Sequence, residues 1–151
     1  MAADLILSQQ GAGLTEDIIN QFERLYELSI PESFRSFLLR NNGGCPSRKR
    51  FSTSDGTIES MVTTFLPLRL HQFHNSIERE LWLIERDCYL PDEILVIATD
   101  PRTARICLGI EGEFEGRVYY NPLDEQVDED NEDRQLLLVA DSFSDFLERL
   151  V

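Results

Sequence analysis

The stretch ILVIATDPRTARICLGIEGEFEGRVYYN, residues 94–121, decides the fold of this chain. Residues 94–98 are a short continuous apolar run, which is typical of a strand buried on both faces. Apolar residues then alternate along residues 105–111, as they do in a strand with two different faces. Residues 117–121 match a hairpin partner for that strand across a glycine-bearing turn at residues 112–116. The stretch therefore predicts three strands, two of them paired as a hairpin.

Two helical patterns precede this stretch near the start of the chain. Thr15 is placed to cap a first helix, whose apolar residues from Ile18 to Tyr26 recur at offsets of three and four. Pro31 suits the first position of a second helix. That helix is expected to stop within residues 41–44 (NNGG), where a residue with positive φ can close it. We expect the two helices to form a hairpin that helps to cover a sheet.

The other elements complete an α+β pattern. Residues 51–53 and the β-branched residues 59–68 are typical of strands, and a further strand is expected over residues 136–139. A third helix is predicted over residues 75–87, and a last helix follows a cap at Asp141 or Ser142.

The net charge is strongly negative. The 28 acidic residues outnumber the 14 basic ones, so the formal charge is −14. Such a surface repels nucleic-acid phosphates and anionic lipids and attracts cationic proteins. We therefore expect no nucleic-acid or membrane partner. An acidic surface also keeps a protein soluble, so the charge alone does not identify a partner.

The chain carries no predicted signal for export. Its first residues lack a basic segment followed by a long apolar one, and no apolar run approaches the length of a membrane span. Cys45, Cys88 and Cys107 form no C-x-x-C pair, which favours free thiols in a reducing compartment. We expect a cytoplasmic protein with an N-terminal tail (residues 1–13) and a single domain (residues 14–151), since this length suits one core.

No motif for catalysis, metal or cofactor binding emerges. His71 and His74 are the only histidines, and tetrahedral zinc needs three or four ligands. Residues 128–133 resemble the start of a calcium loop but have Asp133 where the sharp turn requires glycine. The 28 acidic residues leave a paired-carboxylate enzyme open as an alternative, although no spacing singles out a pair.

Acidic residues are concentrated late in the chain. Ten lie between residues 111 and 133, against one basic residue, Arg117. The hairpin turn and an acidic loop at residues 124–133 should lie at the two ends of the strand 117–121. Adjacent tyrosines on that strand point to opposite faces, so one could anchor an interface. The predicted partner-binding residues are Glu111, Glu113, Glu115, Tyr120, Asp124, Glu125, Asp128, Glu129, Asp130, Glu132 and Asp133.

The order of several short motifs resembles the SUKH superfamily, which contains bacterial toxin-immunity proteins and the Smi/Knr cell-wall regulators of fungi. The motifs are IPESF (30–34), NGG (42–44), LP (90–91) before the apolar strand, GRVYY (116–120) and ADSF (140–143). Each motif is weak alone, but the ordered set is fairly specific and extends over nearly the whole chain.

The resemblance implies an α+β fold with a mixed, mainly antiparallel sheet packed with about four helices. It also implies no catalytic residues and no cofactor. The implied role is to bind and neutralise a polymorphic toxin, often a nuclease, and such toxins are commonly basic because they hold phosphates. The alternative it leaves open is a cytoplasmic scaffold or regulatory module of the Smi/Knr type that acts without a toxin.

Overall fold

Four α-helices and nine short strands make up the described part of the chain. The computed structural model describes residues 5–69, 76–87, 90–122 and 136–151, with the backbone alone for residues 84–87. In chain order the elements are β1 (Leu7–Ser8), α1 (Glu16–Tyr26), α2 (Glu32–Arg40), β2 (Cys45–Pro46), β3 (Arg50–Ser52), β4 (Glu59–Met61), β5 (Thr64–Phe65), α3 (Ile77–Asp87), β6 (Ile94–Thr99), β7 (Arg105–Gly109), a 3₁₀ turn (Gly112–Phe114), β8 (Val118–Asn121), β9 (Leu137–Ala140) and α4 (Phe143–Arg149).

Strands β5 to β9 form one antiparallel sheet in which chain order is also spatial order. Val96 in β6 lies opposite Cys107 in β7, which lies opposite Tyr119 in β8. The predicted hairpin of β7 and β8 is therefore confirmed. Strands β1 and β2 pair separately, as do β3 and β4. The α+β class, with a mainly antiparallel sheet and four helices, is also confirmed.

Strand β6 lies at the centre of the core. Each residue from Ile94 to Ala98 is at most 1% exposed, which confirms a strand buried on both faces. An aromatic cluster joins α2, α4 and β5 on the same core. The Phe37 ring centroid lies 5.0 Å from that of Phe65 and 5.1 Å from that of Phe143. Contacts of this kind add to the stability that area burial provides.

Arg35 links helices α1 and α2, which were predicted to form a hairpin. Thr15 caps α1 by accepting a hydrogen bond from the Ile18 amide at 3.2 Å, as predicted. The Arg35 guanidinium in α2 reaches Glu16 and Glu23 of α1, both at 2.7 Å. A planar guanidinium can hold two carboxylates at once, so this contact ties the two helices together.

Both ends of α2 differ from the prediction. Pro31 is the N-cap, with extended backbone, and the helix begins at Glu32. The helix ends at Asn41, whose φ is −145°, so no positive-φ residue closes it. Gly43 has φ +75° for another reason: a Cβ there would lie 2.7 Å from the Phe65 carbonyl oxygen. The glycine allows the chain to pass close to β5.

Residues 59–68 do not form the single strand that was predicted. They divide into β4, which pairs with β3, and β5, which belongs to the central sheet. Val62 is fully buried between them, and the Thr63 amide donates to the Thr99 carbonyl at 2.8 Å. The chain thus passes from one sheet to the other without a glycine or proline to mark the change.

Part of the segment predicted as an N-terminal tail is packed onto the domain. Leu7 and Ser8 pair with β2, and the Leu7 side chain is 7% exposed. The Gly11 amide donates to the Asn42 carbonyl at 2.8 Å. Residues 5–13 therefore contribute a strand to the fold.

The third and fourth helices agree with their predicted positions. Ile77 at the start of α3 is fully buried, whereas Trp82 is 44% exposed. Ser142 caps α4 by accepting from the Asp145 amide at 3.0 Å. His71, His74 and Cys88 lie outside the described residues.

Candidate functional site

The turn between β7 and β8 presents three of the predicted binding residues to solvent. Glu111, Glu113 and Glu115 are all exposed. The 3₁₀ turn is closed by a hydrogen bond from the Glu115 amide to the Gly112 carbonyl at 3.2 Å. The Gly116 amide also donates to the Gly109 carbonyl at 2.9 Å. These bonds fix the backbone that carries the carboxylates.

Gly109 allows the turn to fold back on β7. A Cβ at this position would lie 1.7 Å from the Phe114 carbonyl oxygen, far inside contact distance. The Phe114 ring packs edge-on against Tyr119, with centroids 5.7 Å apart. The turn is therefore anchored both by its backbone and by an aromatic contact.

Two further acidic residues join this turn across the sheet. The Ile110 amide donates to the Glu93 carbonyl at 2.8 Å, which places Glu93 beside Gly112. Its neighbour Asp92 is exposed. Asp92, Glu93, Glu111, Glu113 and Glu115 are called the acidic turn below. Reasoning from the sequence missed the first two, although pairing Ile94 with Gly109 would have placed them there.

Tyr120 is a correction to the predicted surface. Its side chain is fully buried, and its hydroxyl donates to Asp100 Oδ2 at 2.7 Å. Tyr119 is also buried, at 8% exposure. Strand β8 has core on both faces, so neither tyrosine points to solvent and Tyr120 does not belong to the binding surface.

Asp100 is the acceptor at the centre of this buried network. The amides of Arg102 and Ala104 donate to Oδ1 at 2.9 and 2.8 Å, and the Ser60 hydroxyl donates to Oδ2 at 2.9 Å. With the Tyr120 hydroxyl, four donors satisfy one carboxylate that is 3% exposed. Buried charges require such partners, so Asp100 has a structural role. In the sequence, the one sign of this role is that an acidic residue directly follows a buried strand.

The remaining predicted binding residues lie outside the described part of the chain. They are Asp124, Glu125, Asp128, Glu129, Asp130, Glu132 and Asp133. Their segment connects β8 to β9, whereas the acidic turn precedes β8. In chain order Glu111, Glu113 and Glu115 come before β8 and these seven acids come after it.

Glu78 is, like Asp100, a buried carboxyl group away from the acidic turn. Glu78 in α3 is 3% exposed, and its Oε2 accepts a hydrogen bond from the Arg69 amide at 2.8 Å. Its Oε1 accepts none from the described residues. Burial raises the pKa of Glu78, against the opposing effect of its hydrogen bonds and of Arg69. The pKa of Tyr26 is also raised, by its own burial and then by the charge of Glu78.

The described residues do not assemble a metal site, and their one fully buried cysteine is not activated. Within them, no three side chains of the histidine, cysteine, aspartate or glutamate type lie close enough to hold a metal ion. Cys107 is fully buried, and burial raises the pKa of its thiol far above the ordinary value. A thiol in that state is a poor nucleophile, because the thiolate is the reactive form. Cys45 is half-buried.

In the described ranges, no helix has the length and apolarity needed to cross a bilayer.

Comparison with known proteins agrees with the motif order. A search of curated proteins found no significant match. The family model described as the SMI1 / KNR4 family (SUKH-1) matches residues 13–149, which is nearly the whole chain. It spans both the α1–α2 hairpin and the sheet that carries the acidic turn. The chain therefore belongs to the SMI1/KNR4 family (SUKH-1).

Proposed function

We propose that this chain is an immunity protein that binds and neutralises a cognate toxin with a basic surface, and that the acidic turn is one contact surface. Membership of the SUKH family is consistent with a toxin-immunity role, and its members are generally not catalysts. The observation that carries the proposal is a hydrogen-bonded turn that holds Glu111, Glu113 and Glu115 in solvent.

A fixed cluster of carboxylates suits the recognition of a basic protein. Toxins that act on nucleic acids carry positive sites for phosphates, so an acidic inhibitor complements them. Charges at the rim of an interface mainly accelerate encounter, since they act before contact is made. Because the turn is held by Gly109 and Phe114, little backbone entropy is lost when the carboxylates meet a partner.

The acids of residues 124–133 are proposed as a second contribution to the same negative field. Seven of these ten residues are acidic. They support the proposal through their charge, which attracts a cationic partner at long range.

Co-expression tests this function. A toxin encoded beside the gene should inhibit growth alone, lose its toxicity when this chain is present, and co-purify with it. The complex should weaken as salt is raised, because exposed charges are screened. Failure to bind any toxin encoded beside the gene would contradict the proposal. A gene with no adjacent toxin would instead favour the regulatory module as the role.

A further inference from the structure

A cleft lined by arginines lies at the end of the sheet opposite the acidic turn. Asp92 and Glu93 come directly before β6, and Asp100 comes directly after it, so the two surfaces are roughly 20 Å apart along the strand. The cleft has a volume of about 940 Å³. Arg50 from β3, Arg102 from the turn after β6 and Arg149 from α4 all line it. These residues are called the arginine cleft below.

The positive charges of this cleft are only partly neutralised. Arg149 pairs with Asp145 at 3.1 Å. Arg50 and Arg102 are exposed, and their side chains form no ion pair or hydrogen bond within the described part of the chain. Of the two acids lining the cleft, Asp100 is buried and occupied by its four donors, which leaves Glu59. In a chain of charge −14, a cleft that presents two exposed arginines without an ion-pair partner among the described residues is a distinctive surface.

The strand beside these arginines has an open edge. Hydrogen bonds from the Thr53 amide to the Ile58 carbonyl and from the Val62 amide to the Lys49 carbonyl set the register of β3 and β4. In that register the backbone groups of Glu59 and Met61 point away from β3. They form no further hydrogen bond with the described residues.

The outer edge of β3, by contrast, is occupied. Arg50 and Val151 exchange two backbone hydrogen bonds at 3.0 and 3.1 Å. The open backbone groups therefore lie on the β4 side, which also lines the cleft.

We propose that the arginine cleft binds an extended acidic segment of a partner protein. The edge of β4 would hydrogen-bond the backbone of that segment, as in strand addition. Arg50 and Arg102 would hold its carboxylates, since a guanidinium matches a carboxylate with two parallel donors. A peptide fits better than a nucleic acid, because only a peptide has backbone amides and carbonyls that can pair with the open edge of β4. This surface is separate from the acidic turn and does not depend on the immunity role.

Fluorescence anisotropy with a labelled peptide of alternating glutamate and valine tests the proposal directly. At about 0.15 M salt the Debye length is about 8 Å, so distant repulsion is screened while close contacts persist. The matched peptide with glutamine in place of glutamate should bind about tenfold more weakly. Arg50→Gln with Arg102→Gln should weaken the glutamate peptide by at least about tenfold. Arg24→Gln with Arg117→Gln removes the same charge from exposed sites elsewhere and should change affinity less than about twofold.

Two further measurements separate the parts of the proposal. A glutamate peptide with alternate backbone amides methylated keeps its charge and should also bind more weakly, because it lacks donors for the β4 edge. An equal loss of affinity in the Arg24/Arg117 variant would overturn the site, because it would mean that the peptide responds to overall charge and not to the arginine cleft. Displacement of the peptide by inorganic phosphate or by a single-stranded oligonucleotide at similar concentration would overturn the peptide as ligand. Thermal melting of each variant establishes that it is folded.

Discussion

The hydroxyl of Tyr120 links strand β8 to the turn after β6. It donates a hydrogen bond to Asp100, and the same carboxylate accepts hydrogen bonds from the amides of Arg102 and Ala104. A phenol on a strand was expected to be a surface contact, but both faces of β8 are covered. The residue type indicated that the hydroxyl makes a polar contact, and only the packing determined that this contact lies inside the protein.

Tyr120→Phe should lower the free energy of unfolding by about 1.5–3 kcal/mol, because it removes a buried hydrogen bond to a charged group. Tyr119→Phe, one residue earlier, is the matched control. Its ring packs against Phe114, but its hydroxyl has no hydrogen bond with the described residues. Urea denaturation of both variants gives the comparison. Equal losses would contradict the assigned role of the Asp100 network.

Glu78→Gln should make stability less dependent on pH. Burial raises the folded-state pKa of Glu78 above its ordinary value of 4.5, so folding favours the protonated form. The stabilising contribution is complete below 4.5 and is lost as pH rises through the folded-state pKa. The difference in unfolding free energy between wild type and variant should therefore change in this window.

Urea titrations at several pH values measure that difference. Glu113→Gln, at an exposed carboxylate, is the control and should run parallel to wild type. Parallel curves for Glu78→Gln as well would mean that the Glu78 carboxyl does not carry the pH dependence assigned to it.

At the scale of elements, capping residues and continuous apolar runs were sufficient predictors. Thr15 and Ser142 cap the helices assigned to them, and residues 94–98 form the buried strand. The division of residues 59–68 between two sheets was not predictable, since Val62 and Thr63 continue a β-branched pattern through the crossing. Such a crossing depends on partners distant in sequence, here Lys49 and Thr99.

The candidate site was predicted only in part, because some of its residues also depend on partners distant in sequence. Glu111, Glu113 and Glu115 lie in a turn that local sequence indicates, and the structure places them in solvent. Asp92 and Glu93 reach the turn only through the pairing of β6 with β7, which no local pattern encodes. The arginine cleft likewise combines β3, the turn after β6 and α4.

Gly109→Ala tests the turn as an element. The added methyl would overlap the Phe114 carbonyl, so the turn must shift, and we expect a loss of about 1–3 kcal/mol in stability. Gly13→Ala is the control, because no atom lies within 4 Å of a Cβ built there. Thermal or urea unfolding measures both variants. An unchanged stability for Gly109→Ala would mean that the turn is not held as described.

At the scale of the whole molecule, the net charge of −14 conceals two different surfaces, one lined by carboxylates and one that groups three arginines. The acidic turn lies at one end of β6 and the arginine cleft at the other. A partner with one basic and one acidic region could therefore engage both ends in a defined orientation. Complementary charge of this kind favours the correct partner and register more than it adds affinity.

The most direct test of the immunity proposal is the rate of association with the toxin encoded beside the gene, measured by stopped flow. Glu111→Gln, Glu113→Gln and Glu115→Gln together should slow association by about tenfold at low salt and change dissociation less. Asp17→Asn, Glu27→Gln and Glu148→Gln remove the same charge from exposed sites elsewhere and should have a smaller effect. Equal association rates for wild type and the turn variant would contradict the acidic turn as a binding surface.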